Sequence, residues 1–388
     1  MKYKDMNEKV QKNIEKYPIP WSKDHIQKFR TQLLDWYDKQ GRNLPWRASK
    51  DPYKIWVSEI MLQQTQVETV KPYFERFISE LPRVQDLADA SEPVLMKLWQ
   101  GLGYYSRVRN MHTAAKQIMT EFGGEFPTKK SQLLTLKGIG PYTSGAIASM
   151  AFDEVEPAID GNLTRIVTRL FDIPEDIQTS AVKQQIEAYL YQLIDPERPG
   201  DFNQALMDMG AMIMTATNPY PESHPLAEFD ASYHAHTSHL RPVKTKKSKA
   251  THHQWLAYII QNNQGEILMR KHTDNELLTG LWHFPLVEID MVMEGATKSE
   301  LVEPFIHTYG KYLADYRPEE FELIQSPQDL AQEAEIKHIF SHRVWYIKKV
   351  KIQSNSEGWM LDSHQFMWVP MDQLQTLPMS TLQIKLMS

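Results

Sequence analysis

Two carboxylates and one glycine-pinned turn carry the chemistry open to this sequence. In LLTLKGIGPYTSGAIASMAFDEVEPAID (133–160), the turn Lys137-Gly138-Ile139-Gly140-Pro141 joins two apolar segments, and Asp160 follows the second. Glycines two apart let backbone amides approach a ligand closely. A helix starting near Pro141 or Tyr142 would aim its N-terminus at an anion such as phosphate. Glu59 lies upstream in YKIWVSEIMLQQTQVETV, on a helix where Trp56, Ile60 and Val67 share a buried face. Three residues after Trp56, on the border of that face, its carboxyl would lose hydration against the indole. That raises its pKa and suits a general acid near neutral pH. Gln63, Gln64 and Gln66 follow on the same helix, with amides that can pair with base edges. Plain readings stand beside these: a tight helix–helix turn, a helix cap at Asp160, a surface Glu59.

Taken together the groups suit one reaction. Breaking an N-glycosidic bond needs a proton for the departing base and a negative charge facing the sugar cation. One acid of raised pKa and one ionised carboxylate form that pair, as in O-glycoside hydrolysis. Reaching such a bond in a duplex requires flipping the nucleotide out. Gly101-Leu102-Gly103-Tyr104-Tyr105-Ser106-Arg107 offers an aromatic wedge with basic neighbours for the gap.

The elements that must position these groups read as follows. Residues 1–20 are polar and expected to be a mobile tail. A helix starts near Ser22, with Trp21, Phe29, Leu33, Trp36 and Tyr37 on its apolar side. Helical patterns then cover 54–71, 72–80, 91–100, 105–122, 131–136, 142–151, 162–171, 180–194 and 202–214, so this half is expected to be all-α. SYHAHTSHLRPVKTKKSKATHH (232–253) is polar and basic and reads as an interdomain linker. Beyond it WLAYII, GEILMRK, RVWYIKKVKI and FMWVP read as strands, with Asn262-Asn263-Gln264-Gly265 as a hairpin turn. Helical patches near 297–306 and 326–334 complete a smaller α/β or α+β domain.

A length of 388 residues favours two domains. No apolar run approaches the roughly 20 residues of a membrane span. MKYKDMNEKVQKNIEKYPIP lacks a continuous apolar stretch, so a soluble cytoplasmic chain is expected. With no cysteine, disulfides, thiolate catalysis and Cys-held zinc or iron–sulfur clusters are excluded. The net charge of −6 argues against nucleic acid as a partner, but local potential binds phosphate. Residues 101–150 carry Arg107, Arg109, Lys116, Lys129, Lys130 and Lys137 against Glu121 and Glu125. Residues 231–250 carry Arg241, Lys244, Lys246, Lys247 and Lys249 with no acid.

LPWR (44–47), SEIMLQQTQV (58–67), GLGYYSRVRN (101–110), LKGIGPYTSGAIAS (136–149), DGNLTR (160–165) and FNQALMDMGAMI (202–213) closely resemble adenine DNA glycosylases of the MutY type, in the helix-hairpin-helix glycosylase superfamily. The likeness covers about 22–232 and resumes at LLTGLWHFP (277–285) and HIFSH (338–342), which resemble the family's 8-oxoguanine-reading domain. It implies an all-α glycosylase domain over 21–231 with its helix-hairpin-helix at 133–150, the basic linker 232–253, and a Nudix-like α/β domain over 254–388. Glu59 would protonate adenine at N7 and Asp160 would stabilise the sugar cation, supported by Tyr142 and Asn162. Arg47 and Gln204 would line the adenine pocket. Gln63, Gln64, Tyr104, Arg107, Lys137, Gly138, Gly140 and Thr143 would contact DNA, Gln64 and Tyr104 within the base stack. Phe340, Ser341 and His342 would read 8-oxoguanine. The implied partner is double-stranded DNA holding adenine opposite 8-oxoguanine or guanine, bound by a monomer, with a monovalent cation allowed at the hairpin.

Four departures or alternatives bear on that expectation. The family's four cluster cysteines fall at Met214, Pro221, His224 and Asp230, a poor ligand set for iron–sulfur or zinc. The sequence therefore resembles a cluster-lacking branch, with the loop 214–231 expected to be held by packing around Met212, Met214, Tyr220, Leu226 and Phe229. Glycosylase/lyases similar to endonuclease III carry a nucleophilic lysine two residues after the second hairpin glycine. Here that residue is Tyr142, which cannot form a Schiff base, and a monofunctional enzyme is expected. The Glu-rich helix of Nudix hydrolases is not found between 285 and 340, so a Nudix-like fold would read the lesion without hydrolysis. A non-catalytic DNA-binding protein is the remaining alternative, and retention of both Glu59 and Asp160 argues against it.

Overall fold

The computed structural model describes residues 8–245, 250–273, 276–289, 298–310, 321–324, 336–340, 343–355 and 365–388. The chain forms two compact units, Met1–Ala90 with Ser106–Lys246, and Ser91–Tyr105 with Lys247–Ser388. Among the described residues no helix is long and apolar enough to cross a membrane.

In the first unit, α1 (Glu8–Lys16) corrects the expected mobile tail. Val10 and Asn13 share one helical face and are buried, and Asn13 faces Glu187. The backbone after the helix is pinned by Gln192, which accepts from Ile19 N (3.0 Å) and donates to Tyr17 O (3.0 Å). A short helix with a buried face needs such tertiary partners to persist. Next, α2 (Lys23–Gln40) is capped by Ser22 and buries Phe29, Leu33 and Leu34.

The expected helix 54–71 is two helices, α3 (Pro52–Leu62) and α4 (Val67–Glu80). Gln64 breaks them with φ +57°, so Gln63, Gln64 and Gln66 occupy a turn. The cause is remote. On α7 (below), Arg107 Nη1 donates to the carbonyls of Ile60 (2.8 Å), Met61 (3.2 Å) and Gln63 (2.6 Å). A guanidinium on the last carbonyls satisfies the helix end and favours stopping there.

There follow α5 (Val84–Asp89), α6 (Glu92–Leu98, in the second unit) and α7 (Ser106–Glu121). The hairpin is built by α8 (Lys130–Leu133) and α9 (Pro141–Phe152), then α10 (Gly161–Leu170), α11 (Ser180–Leu193), α12 (Pro199–Met212) and α13 (Ala231–His234) complete the unit. One apolar core joins Phe29 and Leu33 of α2 to Leu163, Ile166 and Val167 of α10, Ile186 and Leu190 of α11, and Phe202, Leu206 and Met209 of α12.

From Thr143 to Met150, α9 is buried on all sides. Its residues are small because backbones crowd it. A Cβ on Gly145 would lie 2.6 Å from Pro157 O, and one on Gly200 of α12 would lie 2.8 Å from Ser149 O. Asn203 staples the same region: its amide donates to Ser149 Oγ (2.9 Å) and Glu156 O (2.9 Å) and accepts from Ala158 N (3.1 Å).

The expected linker is folded over most of its described length. Arg241 pairs with Asp172 (2.7 Å), Ile177 N donates to Val243 O (3.1 Å), and Thr245 N donates to Asp176 (3.0 Å). The basic run therefore begins with an arginine already neutralised in its own unit.

In the second unit, β1 (Thr251–Gln261), β2 (Glu266–Lys271), β3 (Trp282–His283), β4 (Leu286–Ile289), β5 (Phe321–Leu323), β6 (Ile336–Phe340), β7 (Arg343–Ser354) and β8 (Phe366–Pro370) form one mixed sheet. Its spine is the parallel pair β1–β7, from Thr251↔Arg343 to Gln261↔Gln353. The hairpin turn lies where expected, with Gly265 at φ +82° and Asn262 N donating to Glu266 O. Against one face packs α14 (Lys298–Tyr309), its Phe305 beside Tyr258, Val350 and Ile352. The final helix is α15 (Thr381–Met387). The expected helical patch 326–334 lies outside the described residues.

Gly145→Ala should lower stability by roughly 1–3 kcal/mol, because the carbonyl it meets is backbone and must move. Thermal melting reads this, and Gly103→Ala, whose Cβ position is open, serves as the comparison for backbone strain alone.

Candidate active site

A cavity of about 480 Å³ opens in the first unit, lined among others by Arg42, Trp46, Arg47, Glu59, Tyr142, Asp160, Asn162 and Gln204. The turn before α3, the middle of α3, the start of α9, the cap of α10 and one face of α12 thus converge on one space. The structure brings Glu59, Asp160, Tyr142, Asn162, Arg47 and Gln204 together.

Glu59 is 5% exposed, in a helix whose residues Ile55 to Met61 are all buried. Its Oε2 accepts a short hydrogen bond from Tyr142 OH. Burial pushes the Glu59 carboxyl up to about 7, opposed by the Tyr142 bond and Arg47 and assisted by the Asp160 charge. The indole of Trp56, expected to cause the shift, packs against Phe126 (5.5 Å). Burial and the neighbouring Glu59 also hold Tyr142 well above the ordinary phenol range, so it stays a neutral donor.

Asp160 is both cap and wall. Its Oδ1 accepts from Leu163 N (2.7 Å), its Oδ2 from Asn162 Nδ2 (2.9 Å). Burial raises its pKa, and those two bonds hold it down. Asn162 is oriented in turn by Arg165, which donates to Asn162 Oδ1 (2.8 Å), Gly210 O (2.6 Å) and Met214 O (2.8 Å).

On the other wall, Arg47 donates to both oxygens of Asp208 (2.8 and 2.9 Å), and Arg42 donates to the same carboxylate from N (2.9 Å) and Nε (2.8 Å). Burial would raise Asp208, but the two arginines pull it below the usual carboxylate range. Asp208, Arg42, Asn203 and Arg165 were missed in the sequence. Asp208 stands four residues after Gln204 on one helical face, a spacing that could have shown it.

The residues expected to contact DNA divide. Lys137 and Gly138 are exposed at the hairpin tip, with Gly138 at φ +78° and its Cα against Asn110. Gly140 caps α9. Gln64 is exposed at its turn. Thr143, by contrast, is 2% exposed, and Arg107 is buried and holds the end of α3, so neither side chain stands at the surface as expected. In the second unit, Tyr104 is 46% exposed with φ +48° between Gly103 and Tyr105, whose hydroxyl donates to Met379 O (2.9 Å). Phe340 ends β6 against Trp345 (4.7 Å). Ser341 and His342 lie outside the described residues.

Residues 57–192 match the HhH-GPD superfamily base excision DNA repair protein family, and 256–388 match the NUDIX domain. A curated adenine DNA glycosylase of Buchnera aphidicola subsp. Schizaphis graminum is 39% identical over 66% of this chain and 74% of its own. The chain belongs to the adenine DNA glycosylase family. Other relatives of that name are 33% identical in Arabidopsis thaliana, over 93% of this chain, and 40% identical in Mus musculus, over 58% of it. The chain spans 64% and 46% of those two proteins.

The four positions expected to hold a cluster in this family do not fit one. Pro221 has no donor, Met214 is buried in the core, and His224 is bonded to Asp230 (3.0 Å). His224 Nδ1 accepts from Leu226 N (3.3 Å), so Nε2 carries the hydrogen shared with Asp230. Asp230 also accepts from Ser232 Oγ (2.8 Å) and Tyr233 N (2.9 Å). Burial would raise Asp230, but His224 and these donors hold it low, and fully buried Arg169 is within electrostatic reach. Met214, Leu226 and Phe229 do pack in the core, whereas Met212 and Tyr220 are 42% and 37% exposed. The loop therefore closes on a polar latch as well as on packing.

His224→Ala should cost about 2–4 kcal/mol, since it leaves a buried carboxylate short of its partner. Met212→Ala should change the melting temperature little. For Glu59 the linkage runs with pH. The folded state keeps its proton from about 4.5 up to about 7 while the unfolded chain has lost it, so stability falls as pH rises through that window. Glu59→Gln should therefore gain on the wild type by roughly 3 kcal/mol between pH 4.5 and pH 8. Parallel melting curves that do not separate with pH would contradict the raised carboxyl.

Proposed function

We propose that this protein is a monofunctional adenine DNA glycosylase of base excision repair, removing adenine opposite 8-oxoguanine or guanine and leaving an abasic site. The observation that carries this reading is the pairing of Glu59, protonated near neutral pH, with the amide-held carboxylate of Asp160 in one cavity. Glu59 would give its proton to N7 of a flipped adenine. The C1′–N9 bond then breaks, with its electron pair leaving on the base. Asp160 would face the sugar cation, and water would add to C1′ and return a proton to Glu59. Asn162 would keep Asp160 in place, and Gln204 and Arg47 would border the base.

Tyr142 supports a reaction that stops at the abasic site, because its neutral hydroxyl serves Glu59 and offers no amine. Lys50, which also lines the cavity, is ion-paired with Asp153 (2.7 Å). The enzyme would act as a monomer on double-stranded DNA. The hairpin tip at Lys137 and Gly138 would meet a phosphate, with a monovalent cation at the same turn, and Gln64 and Tyr104 would enter the stack. Phe340 with the adjoining Ser341 and His342 would read 8-oxoguanine.

Single-turnover assays on duplexes with adenine opposite 8-oxoguanine, guanine, cytosine and thymine test this. Release should be fastest opposite 8-oxoguanine, slower opposite guanine, and reduced at least a hundredfold by Glu59→Gln with DNA binding kept. Borohydride should trap no stoichiometric imine. Equal release from all four pairs would refute lesion reading. Binding without release by the wild type would make the protein a binding module.

A further inference from the structure

Among the described residues, Arg47 is the arginine whose charge acts on Glu59, and a guanidinium there opposes the acid's protonation. Arg47 and Glu59 line the same cavity, and a guanidinium paired with Glu59 would draw off its proton. The structure directs it elsewhere. Both Nη atoms of Arg47 lie on the two oxygens of Asp208, and Nη1 also donates to Arg42 O (3.1 Å). Arg42 completes the carboxylate's bonds from the far side, and Asp208 is fully buried. The Tyr37 ring lies 5.7 Å from the Arg47 guanidinium and restricts its swing.

We propose that Asp208 is a positioning residue that withholds the Arg47 guanidinium from Glu59 and so keeps the acid protonated at neutral pH. This rests on the reading of Glu59 as the general acid. The other groups facing Glu59 are Tyr142 from α9 and Asp160 from the cap of α10, and neither brings positive charge. At the cavity mouth Lys50 is paired with Asp153, and Arg198 with Asp38 and Asp201, while Glu197 adds a further acid. Asp208 therefore holds the Arg47 guanidinium without itself lining the cavity.

The test compares the wild type with Asp208→Asn, Asp208→Glu and Arg47→Gln, using the full chain. The first readout is the single-turnover rate of adenine release between pH 5 and 9. The second is the titration of the Glu59 carboxyl by 13C NMR, assigned by its loss in Glu59→Gln. Asp208→Asn should move both midpoints down by about one unit, giving rates near the wild type at pH 5 and about tenfold lower above pH 8. Asp208→Glu should restore much of the shift, and Arg47→Gln should move the Glu59 titration up. A uniform rate loss with an unmoved Glu59 titration in Asp208→Asn would overturn the proposal. If that variant does not fold, an unmoved titration in Arg47→Gln does the same. Should the wild type release no adenine, the general-acid reading fails, and the NMR titration still decides whether Asp208 governs Glu59.

Discussion

The structure depends on placing one ionisable carboxyl where little water reaches it. From Ile55 to Met61, α3 has no solvent face, and Glu59 sits within that stretch. A carboxylate there is costly unless it keeps its proton or gains a partner. The surroundings supply a neutral partner in Tyr142, a negative neighbour in Asp160 and a tethered cation in Arg47. Each acts on where the proton resides. The hairpin, whose glycines allow a phosphate to approach, begins α9 with Pro141 and so places Tyr142 one residue later. The hairpin turn and the hydroxyl that bonds Glu59 are thereby tied through a single helix start.

Several arginines of the first unit are used inward. Arg107 ends α3, Arg165 orients Asn162, Arg42 and Arg47 share Asp208, and Arg241 neutralises Asp172. A planar guanidinium with several donors suits carbonyl clusters and carboxylates alike. The basic residues available to a polyanion are consequently fewer than the sequence suggests, and exposed Lys137 at the hairpin tip gains weight among them.

The loop 214–231 solves a separate problem. Where relatives are expected to use thiolates around a cluster, this chain has a histidine–aspartate pair and two hydroxyls set on an apolar floor of Met214, Leu226 and Phe229. A buried polar network is stable only when its members are satisfied, and Asp230 receives three donors. The loop is held by hydrogen bonds formed as it folds.

By itself the sequence determined the all-α first half, the mixed second half, the hairpin and the two acids, because helical periodicity, glycine spacing and residue type are local properties. Asp160 was legible both as a cap and as a site residue; it caps α10 and lines the cavity. Tertiary structure decided the rest. The break at Gln64 carries no glycine or proline and follows from an arginine more than forty residues away. Residues 8–16 and the first part of the basic segment are held by partners distant in the sequence. Asp208 joins the site only because α12 lies against the turn that holds Arg47. Burial, which sets the protonation of Glu59, belongs to no single residue and exists only once the helices have packed around it.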